Sequence, residues 1–417
     1  NWAQMISGPV LAAAANSPLL FGKELWDENR IALFKQSLDT RSQRNYSRVQ
    51  MPRVYFGHDW LHDSPVSLWK EDVVRFPVLV RGYGDDDPFE SLKNGITPKL
   101  KSIRLHNGTT YTWNRLCYGV ANNSPHIRIE CRYLPAGPTM VDEMANFAFW
   151  IGLMKGMPED KKNFWGTTDF QIAKSNFVKA ARTGLHTVLH WFGKQYAAKD
   201  LILDELIPMA WEGLEKMNID EADIEKYLGI IALRVGGEQT GADWQRRNFR
   251  RLRDRFKSAP ALRLLVQQSL YYQEKNLPVH EWKTITRDTL YALPTKLDTQ
   301  FVCVEDVMNR EVISVHENIT VEVIHQIMNW QGINHLLVEG KQDALMGVIS
   351  KSLLEENDFD PSLFSRDIMQ REVIFVAPEY PIEDAKQLMN DLGIHSLPVV
   401  EDGQVVGILT AESLELM

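Results

Sequence analysis

The chain has 417 residues, and its 44% hydrophobic and 24% charged content excludes a disordered or membrane-embedded protein. The net charge of -9 argues against nucleic acid as the main partner, because phosphate contacts need a basic surface. Length predicts two or three domains. Three cysteines without CxxC spacing fit a cytoplasmic protein with neither a disulfide framework nor a zinc site. No apolar run reaches the roughly 20 residues of a membrane helix.

The chain begins at Asn1 rather than at a methionine, and this start lies inside an apparent helix pattern. We therefore expect a further N-terminal region in the natural protein. The Ala-rich stretch Pro9–Ala15 does not predict a signal peptide, because no basic segment precedes it and Asn16-Ser17-Pro18 interrupts it.

Residues up to about Trp113 combine a helix with irregular sequence that is rich in Pro and Asp. Within it, Asp85-Asp86-Asp87-Pro88 is typical of a solvated loop tip. Three stretches have the composition or alternation of strands. They are Val73–Val80, Ser102–Arg104 and Ile127–Tyr133.

From Asp142 to about Leu277 the pattern is mostly helical. Thr139, followed by Asp142 and Glu143, suits a helix N-terminus. The helices predicted after it are Ile172–Tyr196, Leu201–Met217, Glu221–Val235 and Ala242–Lys257. We therefore predict an α+β domain over residues 1–290, with an antiparallel sheet and a helical C-terminal part.

Several conspicuous groups have both a functional and a structural interpretation. His58 and His62 have the helical spacing of metal ligands, but nearby prolines and the lack of a third ligand favour no metal. His186 and His190 are more typical of packed or boundary residues on a helix. The basic run Arg246–Arg255 fits a solvated or phosphate-facing helix better than a nucleic-acid site, since the chain is acidic overall.

Glu130 and Arg132 are two residues apart on a predicted strand, so their side chains point to the same face. A carboxylate beside a guanidinium suits magnesium coordination and anion binding. The alternative is a salt-bridge ladder on a solvated face. Spacing alone favours the ladder.

The C-terminal third contains an internal repeat. Asp306–Ile313 recurs as Asp367–Ile374, and Gly332-Ile333 recurs as Gly393-Ile394. Each copy predicts a β-α-β-β unit, residues 301–358 and 362–417. The predicted helices are Val321–Trp330 and Ile382–Leu392. The predicted strands are Val312–Val315, His335–Val338, Met346–Ser350, Val373–Val376, Ser396–Val400 and Val405–Thr410. One such unit cannot bury both faces of its sheet, so the two should pack together.

The repeat resembles a tandem CBS pair, or Bateman module, across residues 301–417. This family binds adenine nucleotides between its repeats, and the resemblance assigns Gly347, Ser350, Gly407 and Thr410 to that role. The Asp that grips ribose in the family is replaced by Leu353 and Ser413. The pair is therefore either a nucleotide sensor or a module that only forms a homodimer.

The larger region resembles the glutamate–cysteine ligase family of the bacterial and plant type. The resemblance rests on Asn16-Ser17-Pro18, Arg30, His106-Asn107-Gly108-Thr109 and Glu130-Cys131-Arg132, which occur in the order seen in that family. It implies that Arg30 meets a substrate carboxylate, that Glu130 helps hold Mg²⁺ and that Arg132 faces phosphate as a catalytic residue. It also places Asn16, Ser17, His106 and Asn107 at the substrate pocket.

The family also has a Gly-x-Glu-x-Glu strand that supplies metal ligands, and this sequence lacks it. We expect that strand in a preceding region of the protein; the alternative is a catalytically reduced relative. The resemblance implies an ATP- and Mg²⁺-dependent ligase that joins an amine to glutamate or a similar acid through an acyl phosphate, under CBS control. The second hypothesis is a non-catalytic regulator with a ligase-like scaffold.

Overall fold

The computed structural model describes residues 1–38, 52–82, 87–254, 256–286, 289, 303–310, 312–340 and 344–414. The chain divides into two compact units. The first comprises Asn1–Arg246 and Tyr272–Trp282, and the second comprises Arg247–Tyr271 and Lys283–Met417. The predicted loop tip at Asp85-Asp86 lies outside the described residues.

Helices dominate the described part of residues 1–282. They are α1 Trp2–Met5, α2 Ser7–Ala14, α3 Asn29–Ser37, α4 Val66–Arg75, α5 Pro88–Lys93, α6 Lys101–Gly108, α7 Met140–Gly156, α8 Phe170–Thr183, α9 Ala198–Asp200, α10 Ile207–Glu215, α11 Glu221–Gly236, α12 Gly241–Arg253 and α13 Ser258–Glu274. A π-helical turn, Leu201–Leu206, leads into α10, and 3₁₀ turns occupy Glu159–Lys161, Phe164–Gly166 and Val279–Glu281. Helices α10, α11 and α12 correspond to predicted helices.

The strands of this region pair two by two. They are β1 Leu19–Leu20, β2 Lys23–Glu24, β3 Val54–Tyr55, β4 Tyr111–Thr112, β5 Asn114–Ala121, β6 Ser124–Cys131, β7 Val188–Trp191 and β8 Lys194–Ala197. The pairs β1–β2, β5–β6 and β7–β8 are antiparallel, whereas β3–β4 is parallel. The α+β class is thus confirmed, with small sheets in place of one large one.

Three predicted elements are wrong in this unit. The Val73–Val80 stretch begins in α4, and the chain becomes extended at Phe76 because Pro77 follows it. Ser102–Arg104 lies within α6, so its short apolar alternation was not a strand. The helix predicted over Ile172–Tyr196 ends at Thr183, because Gly184 adopts φ +51, and the hairpin β7–β8 follows.

The helical core depends on a close approach of two helices. A Cβ on Gly152 of α7 would lie 2.5 Å from the carbonyl oxygen of Ala210 on α10, and a Cβ on Gly213 would clash with the backbone of Gly152. Glycine at these positions lets the two backbones touch. The apolar helix α2 is buried along its whole length in the same core.

The second unit contains the tandem repeat. The helices of the repeat are α14 Val321–Gln331, α15 Lys351–Glu356, α16 Ser365–Ile368, α17 Ile382–Leu392 and α18 Ala411–Leu414. Its strands are β9 Ser314–His316, β10 His335–Glu339, β11 Leu345–Ser350, β12 Ser396–Glu401 and β13 Gln404–Thr410, and a 3₁₀ turn covers Val304–Asp306. Of the strand predicted at Val373–Val376, the structure forms a single bridge, from Val376 to Val399.

The two repeats exchange their leading segments. Val304, Val307 and Met308 lie at the start of the first repeat but pack in the core of the second, whereas Ile368 and Met369 lie at the start of the second and pack in the core of the first. Backbone bonds follow the same exchange, because Asn309 and Ile408 bond each other twice at 2.8 Å. Each core is therefore built from both halves of the repeat.

Candidate functional site

The segment between α2 and α3 forms a network around one buried carboxylate. Ser17 Oγ donates to Glu28 Oε1 at 2.7 Å, and the Asn16 amide donates to Glu28 Oε2 at 3.2 Å. Glu28 is 0% exposed, and this burial raises its pKa against the opposing effect of its hydrogen bonds. Asn16 also accepts from Gln245 Nε2 at 2.9 Å. Asn16 and Ser17 thus position Glu28.

Arg30 ties the start of α3 to the end of β6. Its Nη1 donates to the carbonyl of Arg132 at 3.0 Å, and its Nη2 donates to the carbonyl of Tyr133 at 2.6 Å. Its Nε lies 3.5 Å from Glu28 Oε1. The structure thereby brings Arg30 and Ser17 close to Arg132, which follows the end of β6.

Glu130 and Arg132 lie beside a third charged residue, Arg115 of β5. Arg115 pairs with Glu130 in the hairpin register and donates to its Oε2 from Nε at 2.7 Å. Arg132 Nε is 3.9 Å from the same oxygen, and its guanidinium stacks 3.4 Å from the centroid of Tyr111. These contacts are those of the salt-bridge ladder that spacing alone favours.

A cavity of about 650 Å³ opens beside this ladder. Four cationic side chains line it, and none of its described lining residues is acidic. They are Lys101, Arg104, Arg115 and Arg128. Cations that converge on one concave surface suit an anion with several negative charges, such as a polyphosphate. We call this the cationic cavity.

His106 and Asn107 support a buried carboxylate on α4. His106 Nε2 lies 3.2 Å from the carbonyl oxygen of Asp72, and Asn107 Nδ2 donates to Asp72 Oδ2 at 3.5 Å. The hydroxyl of Tyr55 donates a hydrogen bond to Asp72 Oδ1 at 2.6 Å. Burial raises the pKa of Tyr55, and the carboxylate of Asp72 raises it further. The hydrogen bonds of His106 and Asn107 therefore go to Asp72, not to the network around Glu28.

A smaller cavity of about 240 Å³ shares part of its wall with the cationic cavity. Trp69, Asn107 and Arg115 line both. His58 also lines the smaller one, and its Nε2 lies 3.5 Å from Glu71 Oε1. Among the residues that the structure describes, no group of three His, Cys, Asp or Glu side chains could hold a metal.

Sequence reasoning missed a second buried carboxylate in the loop. Asp27 is 1% exposed and forms an ion pair with Arg246, which also lies 3.6 Å from Glu24. Burial raises the pKa of Asp27, and Arg246 opposes that effect. A Cβ at Gly184 would lie 2.5 Å from Asp27 Oδ2, so the turn after α8 needs glycine. In the sequence, the adjacent acidic residues Asp27 and Glu28 could have indicated this site.

His186 and His190 do not share a helix. His190 lies on β7, and His186 in the preceding turn places Nε2 3.0 Å from Asp243 Oδ1. The prediction of helical boundary residues is therefore wrong, because α8 ends before both.

In the repeat unit, the predicted nucleotide-binding hydroxyls cap helices. Ser350 Oγ accepts from the Leu353 amide at 3.1 Å, and Thr410 Oγ1 accepts from the Ser413 amide at 3.2 Å. Gly347 and Gly407 pack against methionines: a Cβ would lie 2.7 Å from Met369 Sδ and 2.5 Å from Met308 Sδ, respectively. Glycine at both positions thus accommodates the exchanged segments.

Glu130, the predicted Mg²⁺ ligand, places Oε2 2.6 Å from Arg115 Nη2 and 3.9 Å from Arg132 Nε. Mg²⁺ often needs only one or two protein carboxylates when substrate phosphates supply the remaining ligands. The fit is partial, because Glu130 Oε2 is engaged by Arg115.

The structure has an α+β body with a cavity lined by four cationic side chains, followed by a tandem β-α-β-β repeat. The chain belongs to glutamate-cysteine ligase family 2 (GCS2), whose model matches residues 1–268. The CBS domain model matches residues 304–354 and 366–414. Family membership supports a carboxylate–amine ligase with a CBS pair.

Curated relatives share only a segment with this chain. An uncharacterized protein of Methanopyrus kandleri is 29% identical over 119 residues, which are 27% of this chain and 61% of that protein. A homoserine O-acetyltransferase of Methanococcus vannielii is 31% identical over 27% of this chain and 24% of its own length. The chain thus spans less than two thirds of these relatives.

Two solved structures are similar over about a quarter of the chain. An uncharacterized conserved protein of Pyrococcus horikoshii is 20% identical, with TM-score 0.25, over 26% of this chain and 86% of that one. The CBS domain pair of protein MJ0100, crystallised with 5-methylthioadenosine and S-adenosyl-L-methionine, is 28% identical, with TM-score 0.26, over 27% and 92%. Within the described residues, each helix is too short or too polar to span a bilayer.

Proposed function

We propose that the protein is an ATP-dependent ligase that joins an amine to the side-chain carboxylate of glutamate or of a similar acid. The observation that carries the proposal is the cationic cavity, set beside Glu130 in a chain of this family. The acid's carboxylate attacks the γ-phosphate of ATP, which releases ADP and leaves an acyl phosphate. The amine then attacks the acyl carbon, and inorganic phosphate leaves.

Each part of the site has a role in this reaction. Arg104, Arg115 and Arg128 neutralise the phosphate oxygens, whose negative charge is spread during phosphoryl transfer. Glu130 would hold Mg²⁺, which would supply positive charge for the phosphate group. Arg132, which shares the ladder, would contact the transferred phosphoryl group.

Arg30 is proposed to meet the substrate's α-carboxylate. Its side chain is 28% exposed, so the guanidinium remains accessible while two backbone carbonyls fix its direction. Ser17 and Asn16 are proposed to form the pocket wall next to Arg30, where both donate hydrogen bonds to Glu28. His106 and Asn107 shape the site through Asp72.

The test uses the full-length gene product with ATP, glutamate and a panel of amines, and it measures the release of ADP and phosphate. Arg128→Gln should raise KM for ATP about tenfold or more, because it removes one charge-assisted phosphate contact. Lys93→Gln is the control, since this exposed cation on α5 does not line the cavity. If the folded protein turns over no amine, the proposal is wrong.

A second candidate is a non-catalytic regulator that binds ligands without turnover. It is favoured by the absence, in the described ranges, of a three-carboxylate group that could hold Mg²⁺. Calorimetry with ATP separates the two functions: nucleotide binding without any ADP release supports the regulator.

We also propose that the CBS pair regulates the ligase in the cytoplasm, by binding an adenine nucleotide or by forming a homodimer. Ser350 and Thr410 retain the hydroxyls that would contact phosphate. Light scattering of the purified protein measures the mass: a monomer at micromolar concentration would contradict the dimer.

A further inference from the structure

The smaller cavity has the features of a binding site for an amine. Three carboxylates line it, those of Asp59, Glu71 and Asp72, together with the guanidinium of Arg115. Its apolar lining residues include Phe56, Leu61, Leu68 and Trp69, and its neutral polar ones include Gln4 and Asn114. Acidic groups beside apolar side chains favour a cationic ligand with an apolar body.

His58 is placed in this cavity so that it could act as a base. Its ring packs on Tyr55 with centroids 5.3 Å apart, which fixes its plane. Glu71 Oε1, 3.5 Å from Nε2, favours the tautomer that carries hydrogen on Nε2 and leaves the lone pair on Nδ1. Arg75, which contacts the same Glu71 oxygen at 2.7 Å, limits the negative charge there.

The surroundings of His58 keep the imidazole neutral. Burial lowers its pKa, and the positive charge of Arg75 adds to that effect, with a smaller contribution from Lys174. Glu71 and Asp72 oppose the shift. A neutral imidazole can accept a proton at physiological pH, whereas an imidazolium cannot.

The smaller cavity and the cationic cavity share part of their lining, which would bring a bound amine close to a bound phosphoryl group. Trp69, Asn107 and Arg115 line both, so the two cavities are neighbours. An amine in the smaller cavity would therefore meet the acyl phosphate at the boundary that these residues form.

We infer that the smaller cavity binds the acceptor, a primary amine with an apolar body and no carboxylate, and that His58 is its general base. This inference rests on the proposed ligase function. The ammonium gives one proton to His58 Nδ1, and the freed lone pair bonds to the acyl carbon. The carbon–oxygen bond to phosphate breaks, phosphate takes that electron pair, and the second amine proton passes to phosphate.

The experiment compares alkylamines with hydroxylamine in the full-length protein. Hydroxylamine is largely unprotonated at neutral pH and traps an acyl phosphate as a hydroxamate without a base. His58→Gln should lower kcat with alkylamines by about 10²-fold or more and leave hydroxamate formation within about twofold. His62→Gln is the matched control, because His62 is exposed and does not line the cavity.

The outcomes separate the two proposals. If wild-type protein forms no hydroxamate with any acid, the ligase function fails. If hydroxamate forms and His58→Gln retains alkylamine ligation, or loses both reactions equally with an unchanged Tm, the base assignment is wrong. Glu71→Gln provides a second variant should His58→Gln not fold: it should slow alkylamine ligation only.

The acceptor class has its own readout. An alkylamine should give a kcat/KM at least about tenfold above that of the amino acid that carries the same side chain, because three carboxylates repel a fourth. Preference for the amino acid would overturn the assignment of the acceptor class.

Discussion

The first unit contains a buried ion pair between Arg234 and Asp142. Arg234 is 1% exposed and pairs with the fully buried Asp142, with Arg234 Nη2 2.7 Å from Asp142 Oδ1. Arg234 also donates to Asn146 Oδ1 at 2.6 Å and to the carbonyl of Ala13 at 3.1 Å. Asp142 accepts from the amide of Val279 at 3.0 Å. One ion pair therefore links four segments of the chain.

Asp142→Asn should destabilise the first unit by about 3–5 kcal/mol, because it leaves the charge of Arg234 buried and uncompensated. Thermal unfolding followed by circular dichroism measures the change. Glu238→Gln is the control, since Glu238 pairs with Lys199 at the surface and its loss should leave Tm unchanged. Similar Tm values for both variants would contradict a structural role for the buried pair.

Glu28 predicts a pH dependence of stability. Its pKa is raised above the ordinary 4.5, so the folded state binds more protons than the unfolded state between those two values, and stability falls as pH rises through that window. Glu28→Gln lacks this penalty. Its stability relative to wild type should therefore increase from pH 4.5 upward and level off above the folded pKa, as measured by urea unfolding across pH. A difference that shrinks with rising pH would refute the assignment.

At the level of elements, the paired helices of the repeat end in the same way. Gly332 and Gly393 occupy left-handed C-caps with φ 66 and 64, as their position in the sequence predicts. A Cβ at either position meets nothing within 4 Å, so the cost of a side chain there is conformational and not steric.

Gly393→Ala should therefore cost about 1 kcal/mol, and Gly393→Asn less, because asparagine tolerates the left-handed region better than alanine. Chemical unfolding of the full chain, monitored in the transition of the repeat unit, measures both. Equal costs for the two variants would indicate that backbone conformation is not the reason for glycine at this position.

The sequence predicted elements well where periodicity was long or repeated. The helix at Ile382–Leu392 was predicted to the residue, and the strand with Glu130 and Arg132 to within a few residues. Short apolar runs were ambiguous: Ser102–Arg104 alternates like a strand but lies in α6, where tertiary packing decides. The pairing of Asp27 with Arg246 could not be predicted, because 219 residues separate them and nothing local specifies their approach.

For the molecule as a whole, nucleotide sensing by the repeat gives a prediction for its thermal stability. Ser350 and Thr410 are N-cap acceptors, and Leu353 and Ser413 replace the ribose-binding carboxylates. If AMP or ATP binds the pair, the free energy of unfolding of the repeat should rise with nucleotide by mass action, by about 2.7 kcal/mol at 100 times Kd, and its Tm should rise as a result. Ser350→Ala combined with Thr410→Ala should abolish that rise. A flat Tm at millimolar nucleotide would leave dimerisation as the role of the pair.

Because the repeats exchange their leading segments, a fragment with only one copy should not fold into a complete core. Because Met308 completes the second core and Met369 the first, neither copy is a self-sufficient piece of protein. A gene fragment that encodes one copy alone would yield a chain with an unfilled core. The two copies must therefore be deleted together or moved together into another protein. A boundary between them at about residue 360 would divide both cores.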